Sequence, residues 1–112
     1  MKFHTNLEDY NCAPLVSLKS LAKELKINNL FIKDESQRFG LNAFKVLGAS
    51  YAVYHLLNHE SNITTFCTAT DGNHGRAVAW SARKENKKCI VYVPEDTTKL
   101  RMNAIANEGA KV

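Results

Sequence analysis

The run Cys89-Ile90-Val91-Tyr92-Val93, closed by Pro94, constrains the fold more than any other stretch of this chain. Five nearly continuous apolar residues bounded by a breaker have the pattern of a strand inside a parallel sheet. Two strand-like runs precede it: Leu30-Phe31-Ile32-Lys33, and Ile63 to Ala69, which is rich in Thr, Phe and Ile. The intervals carry helical periodicity. Behind Pro14, with Ser17 as a plausible N-cap, Leu18, Leu21, Ala22 and Leu25 repeat at i, i+3, i+4 and i+7, predicting a helix over 17–26. Asn42 is a candidate cap for a helix over about 43–59, with Val46, Ala49, Val53, Leu56 and Leu57 on its buried face. The turn signal Asp71-Gly72-Asn73 opens a helix to about Asn86. Gly75, Ala77, Ala79 and Ala82 suit it to a close approach, and Trp80 reads as core. Asp96 or Thr97 caps a last helix carrying Met102, Ile105 and Ala106, with Gly109 as its C′ residue.

Strands alternating with helices at this spacing imply βαβ units, a parallel sheet and right-handed crossovers. Lys111-Val112 read as the first step of a fourth strand, so the expectation is an α/β domain cut part-way through its sheet. Residues 1–13 show no strong periodicity and read as an N-terminal arm or lead-in loop. Internal repeats, low-complexity stretches and linkers are absent from the sequence.

Composition narrows the function. A chain of 112 residues with 45% apolar content makes one modest domain. No apolar run approaches the roughly 20 residues that cross a bilayer, and the N-terminus lacks a secretory layout. Three cysteines, Cys12, Cys67 and Cys89, have no metal-ligand spacing and read as free thiols in a reducing cytoplasm. His55 and His59 stand four apart without an acidic or Cys partner at a suitable spacing, so no metal site is expected. Fifteen basic and eleven acidic side chains give a net charge of +4. Only Arg83, Lys84, Lys87 and Lys88 cluster, near a helix end, and no basic stripe with interleaved aromatics points to nucleic acid.

Two segments carry candidate chemistry. Lys45 follows a Gly/Asn-bearing loop and sits in the first turn of a helix, where the dipole and partial burial both disfavour the ammonium form. A lysine so placed suits imine chemistry with an aldehyde cofactor; a lysine taken alone is far more often a surface charge. The turn at 71–75 follows a strand and opens a helix, where ligands of open parallel sheets bind. By spacing alone, Asp71 and Asn73 serve more economically as helix caps, with Gly72 for the turn. Gly72 and Gly75 form neither a GxGxxG nor a Walker A pattern.

Asn42-Ala43-Phe44-Lys45-Val46-Leu47-Gly48-Ala49-Ser50-Tyr51-Ala52, with Thr68-Ala69-Thr70-Asp71-Gly72-Asn73-His74-Gly75-Arg76-Ala77-Val78-Ala79-Trp80, resembles the diaminopropionate ammonia-lyases of the fold type II pyridoxal-phosphate family. The similarity runs from about Pro14 to the C-terminus and covers the first third or so of such an enzyme. It implies a partial, truncated three-layer αβα parallel sheet, with residues 1–112 as the N-terminal part of a lyase domain. It further implies pyridoxal 5′-phosphate held covalently at Lys45, which then acts as a base at Cα. Phe44 would pack beside the cofactor ring and Asn73 would hydrogen-bond its ring hydroxyl oxygen. Asp71, where general dehydratases usually carry a small residue, would face the substrate as a carboxylate, positioning an amino group and serving the departing β-amine with a proton. The implied reaction is the α,β-elimination of 2,3-diaminopropionate to pyruvate and ammonia, part of amino-acid catabolism.

Two positions depart from the family pattern: Ala49 and Ala77 stand where glycine is common. The family's phosphate-gripping glycine loop, the group facing the pyridine nitrogen and a second catalytic carboxylate lie downstream of this stretch. The expectation is therefore a portion inactive by itself, prone to self-association, and part of a homodimer in the complete enzyme, with a small amino acid as substrate. The alternatives are a non-catalytic α/β binding or interaction module, and a portion of a related amino-acid dehydratase.

Overall fold

A computed structural model describes residues 3–112. Its centre is a parallel sheet of β3 (Thr65–Ala69), β4 (Lys88–Tyr92) and β5 (Ala110–Lys111), ordered β3-β4-β5. The register pairs Phe66 with Cys89, Thr68 with Val91, and Cys89 with Ala110. Burial alternates along both long strands. Phe66, Cys89 and Val91 point into the core, whereas Cys67, Ala69 and Tyr92 are exposed. The continuous apolar run of β4 is therefore covered on one face, and its other face ends in Tyr92 at 64% exposure. The molecule measures 53 × 38 × 19 Å. Its least dimension fits a sheet and one helical layer at about 10 Å per packed layer. The chain thus supplies two of the three layers that the fold class implies.

Three helices build that layer: α2 (Lys45–His59), α3 (Asn73–Lys84) and α4 (Lys99–Ala106). Val53 of α2, Ala79 and Ala82 of α3 and Ile105 of α4 join Phe66, Cys89 and Val91 in one core cluster. A second cluster, formed by Leu41, Val46, Ala49, Ala77 and Trp80, sews α2 to α3. The small residues of α3 do what the sequence suggested. A Cβ on Gly75 would stand 2.9 Å from Thr70 Cγ2 and 3.0 Å from Val91 Cγ1, so α3 meets the sheet at contact distance there.

Several boundaries differ from expectation. Ser17 is not a cap. It belongs to β1 (Leu15–Ser17), which pairs antiparallel with β2 (Phe31–Lys33), so α1 begins later and spans Lys19–Glu24. Ser17 lies opposite Phe31 in this ribbon, and Leu18 N–H continues the ladder by donating to Leu30 O at 2.9 Å. Asn42 adopts left-handed backbone (φ 56°) and Phe44 is the N-cap of α2. Leu56, expected in the core, is exposed, while Ser50 is buried and bonds Leu47 O. Gly109 is left-handed (φ 96°) but lies two residues past the C-cap Asn107, since α4 ends at Ala106. Residues 3–13 pack down as more than a loose lead-in. Phe3 lies on Tyr54 with centroids 4.6 Å apart, and His4 Nε2 meets Leu47 O at 2.6 Å.

Candidate active site

Lys45 is the first residue of α2, and its neighbour Val46 is completely buried in the α2–α3 seam. Val46 therefore pins the backbone while the Lys45 side chain lies on the exposed side of the helix. The partial burial expected from sequence is not provided by this chain. The Lys45 side chain makes no hydrogen bond or ion pair with any described residue. Phe44, directly before it, is 63% exposed.

The turn after β3 is arranged differently from the capping expectation. Gly72 is the N-cap of α3, and no side chain caps the helix. The polar side chains of Asp71 and Asn73 are thus free of the structural task that the spacing suggested for them. Thr70 Oγ1 steadies the turn by accepting from Gly72 N–H at 3.4 Å. Asn73 is exposed and has no partner among the described residues. Asp71 Oδ2 accepts from Arg101 Nη1 of α4 at 2.6 Å. Asp71, Gly72, Asn73 and Arg76 face Leu100, Arg101 and Ala104 across one open cleft. A second cleft outside the C-terminal ends of β3 and β4 is lined by Ala69, Thr70, Asp71, Tyr92, Val93 and Pro94. Asp71 borders both.

Lys45 and Phe44 line neither cleft. What joins their segment to the turn is Arg76, which the sequence reading left unassigned. Its Nη1 donates to Leu41 O at 3.1 Å, four residues before Lys45, and its Nη2 reaches Glu108 Oε1 at 3.4 Å. Glu108 also takes Arg83 Nη2 at 2.9 Å. One residue of the Asp-Gly-Asn-His-Gly-Arg string therefore ties the lysine loop to α3 and to the turn after α4. The next turns of α2 and the start of α3 also share a groove, lined by Gly48, Ala52, Leu56, Cys67, Thr68 and His74.

These groups suit an aldehyde cofactor bearing a phenolic oxygen. They comprise an unpartnered amine at Lys45, an unpartnered amide at Asn73, an exposed ring at Phe44 and a carboxylate at the mouth. The parallel sheet places the turn where such folds bind ligands.

The chain belongs to the pyridoxal-phosphate dependent enzyme family, whose profile matches residues 7–112. The family's cofactor is pyridoxal phosphate. Within that family it is similar to diaminopropionate ammonia-lyase of Escherichia coli, at 40% identity over 98% of this chain and 32% of that protein. Serine racemase of Dictyostelium discoideum is 34% identical over 97% of this chain and 33% of its own length. A crystal structure of the E. coli ammonia-lyase, in complex with an aminoacrylate-PLP azomethine reaction intermediate, superposes with a TM-score of 0.92 at 41% identity. It covers 98% of this chain and 31% of that one. The fold is that of the fold type II enzymes, and the chain spans about a third of the length of these two curated relatives. Among the described residues no helix is long and apolar enough to cross a membrane.

Proposed function

We propose that this chain is the N-terminal portion of a pyridoxal-phosphate-dependent ammonia-lyase that converts 2,3-diaminopropionate to pyruvate and ammonia. The observation that carries the reading is that Asp71 and Asn73 leave α3 uncapped. A capping role would account for both residues without any ligand, and they do not fill it. The 40% identity to the E. coli enzyme along nearly the whole chain supports the substrate class.

When bound, the cofactor supplies an electron sink for the bond that breaks at Cα. Lys45 is suited to carry it, because its amine is accessible and its backbone is held by buried Val46. Once the substrate's α-amino group has taken its place on the cofactor, the freed Lys45 amine would take the Cα proton. With the cofactor in place, Phe44 would flank its ring and Asn73 would donate to its hydroxyl oxygen. Asp71 holds the substrate's β-ammonium by charge, so that the Cβ–N bond breaks with the leaving nitrogen already protonated. A hydroxy amino acid offers Asp71 no such cation, which favours the diamino substrate over serine or threonine.

The groups for the cofactor phosphate and pyridine nitrogen belong, by resemblance, to later parts of the family fold, so this chain alone is expected to be inactive. We further propose a homodimer for the complete enzyme and a cytoplasmic setting, supported by three free cysteines. Nucleic acid is not part of this reading. Arg83 is engaged by Glu108, and Lys84 by Glu8 and the Trp80 ring.

The test uses an enzyme carrying this segment joined to the remaining two thirds of the E. coli ammonia-lyase. Pyruvate release from 2,3-diaminopropionate, and a borohydride-reduced cofactor adduct on Lys45 by mass spectrometry, are expected. Lys45→Ala should abolish both. Full turnover by Lys45→Ala, or an adduct on another lysine, would overturn the assignment.

A further inference from the structure

We propose that Arg101 is a specificity-determining residue of this site: a resident counter-ion on Asp71 that a substrate with a second ammonium group displaces and a substrate with a neutral side chain does not. The proposal rests on the ammonia-lyase reading above.

The two side chains come from different elements and meet across the cleft at 2.6 Å. Their side chains are 59% and 52% exposed, so water and solutes reach the pair. An exposed pair of this kind is preferred over its separated state by only up to about five-fold. The contact is therefore exchangeable. The second guanidinium lining the cleft cannot take Arg101's place, because Arg76 is committed to Leu41 O and Glu108. Arg101 has no acceptor other than Asp71 among the described residues.

Among the described residues Asp71 is the only carboxylate lining this cleft, which also holds two guanidinium groups. A β-ammonium that enters must find its negative charge there. Arg101 already draws on that charge at Oδ2, so the ammonium gains less from Asp71 while the guanidinium stays and gains most once it swings aside. A hydroxyl group makes no such demand, and the Asp71–Arg101 pair stays closed over it. Arg101 also has a backbone placement suited to release. It lies near the start of α4, two residues after Lys99, with Leu100 beside it 81% exposed.

The exchange can be read without turnover. In the 15N-labelled joined enzyme freed of cofactor, 50 mM 2,3-diaminopropionate is expected to shift the Arg101 side-chain Nε–H signal saturably, while 50 mM serine at matched ionic strength leaves it in place. Asp71→Asn should remove the response. Equal shifts with both amino acids, or no shift with either, would overturn the proposal. In the joined enzyme, Arg101→Gln is expected to lower the diaminopropionate-to-serine ratio of KM by about two- to five-fold. Arg101→Lys, which restores a cation, should return the ratio toward its original value. A ratio unmoved by Arg101→Gln in an enzyme that makes pyruvate would remove the counter-ion role and leave the lyase reading standing. An unsubstituted enzyme that makes no pyruvate, and whose Lys45 takes no cofactor, would instead remove the lyase reading.

Discussion

Gly75 and Arg38 show how differently single residues declare themselves. Gly75 lies in a helix rich in small residues, a pattern that forecasts close packing, and the forecast contact is with Thr70 and Val91. Gly75→Ala should lower stability by about 1–3 kcal/mol, read as a reduced urea midpoint, because backbone and β-branched neighbours must shift. Arg38 ends the polar run Asp34-Glu35-Ser36-Gln37-Arg38, yet it is buried at 7% exposure. Its Nε donates to Glu35 Oε2 at 2.6 Å, its Nη1 donates to Asn11 O at 2.5 Å, and the Tyr10 ring lies 5.3 Å away. That bond to Arg38 holds the Glu35 carboxyl below its ordinary value near 4.5. With a folded value below the unfolded one, the pair's contribution is complete above the ordinary carboxylate range. It is lost as the pH falls toward the folded value. Glu35→Gln should cost about 1–3 kcal/mol near neutrality and flatten the acid limb of the stability–pH curve below about 4.5. An unchanged acid limb in denaturant melts would show that Glu35 is not the group responsible.

At the scale of elements, the seam between α2 and α3 brings the two candidate segments into one body. Val46, Ala49, Ala77 and Trp80 hold it by apolar contact, and Arg76 closes its end at Leu41. Val46→Ala should destabilise by about 2–3 kcal/mol through lost burial and a cavity. In the joined enzyme it should also reduce the yield of the Lys45 cofactor adduct, since the lysine next to Val46 loses its fixed backbone. A destabilised enzyme with a full adduct yield would separate the packing role from the positioning role. The periodicity of Val46, Ala49 and Val53 made this helix face legible, and the β-branched runs made the strands legible. Leu30-Phe31-Ile32-Lys33 reads as a strand, but it pairs antiparallel with β1 outside the parallel sheet. In turn, β1 escapes detection because Leu15-Val16-Ser17 is three residues long and its pairing with Phe31–Lys33 spans a helix. No local signal encodes such a partner.

The whole molecule leaves apolar surface on two sides. Cys67, Ala69 and Tyr92 lie on the uncovered side of the parallel sheet, and Leu15, Val16, Phe31 and Ile32 are exposed on the ribbon. Both faces of that ribbon are open: Val16 pairs with Ile32 on one, while Leu15 and Phe31 lie on the other. Exposed strand faces and edges invite association. Light scattering on the 112-residue chain should therefore show mass rising with concentration, and Phe31→Glu with Tyr92→Lys should suppress it. A monodisperse monomer at every concentration would show these faces to be inert. The sequence by itself determined the strand–helix alternation, the parallel sheet, and which short strings could serve a cofactor, because periodicity and turn chemistry are local properties. Tertiary structure decided three things that depend on distant partners. It covered the sheet with one helical layer, it left Asp71 and Asn73 uninvolved in capping, and it brought Arg101 from thirty residues away onto the Asp71 carboxylate.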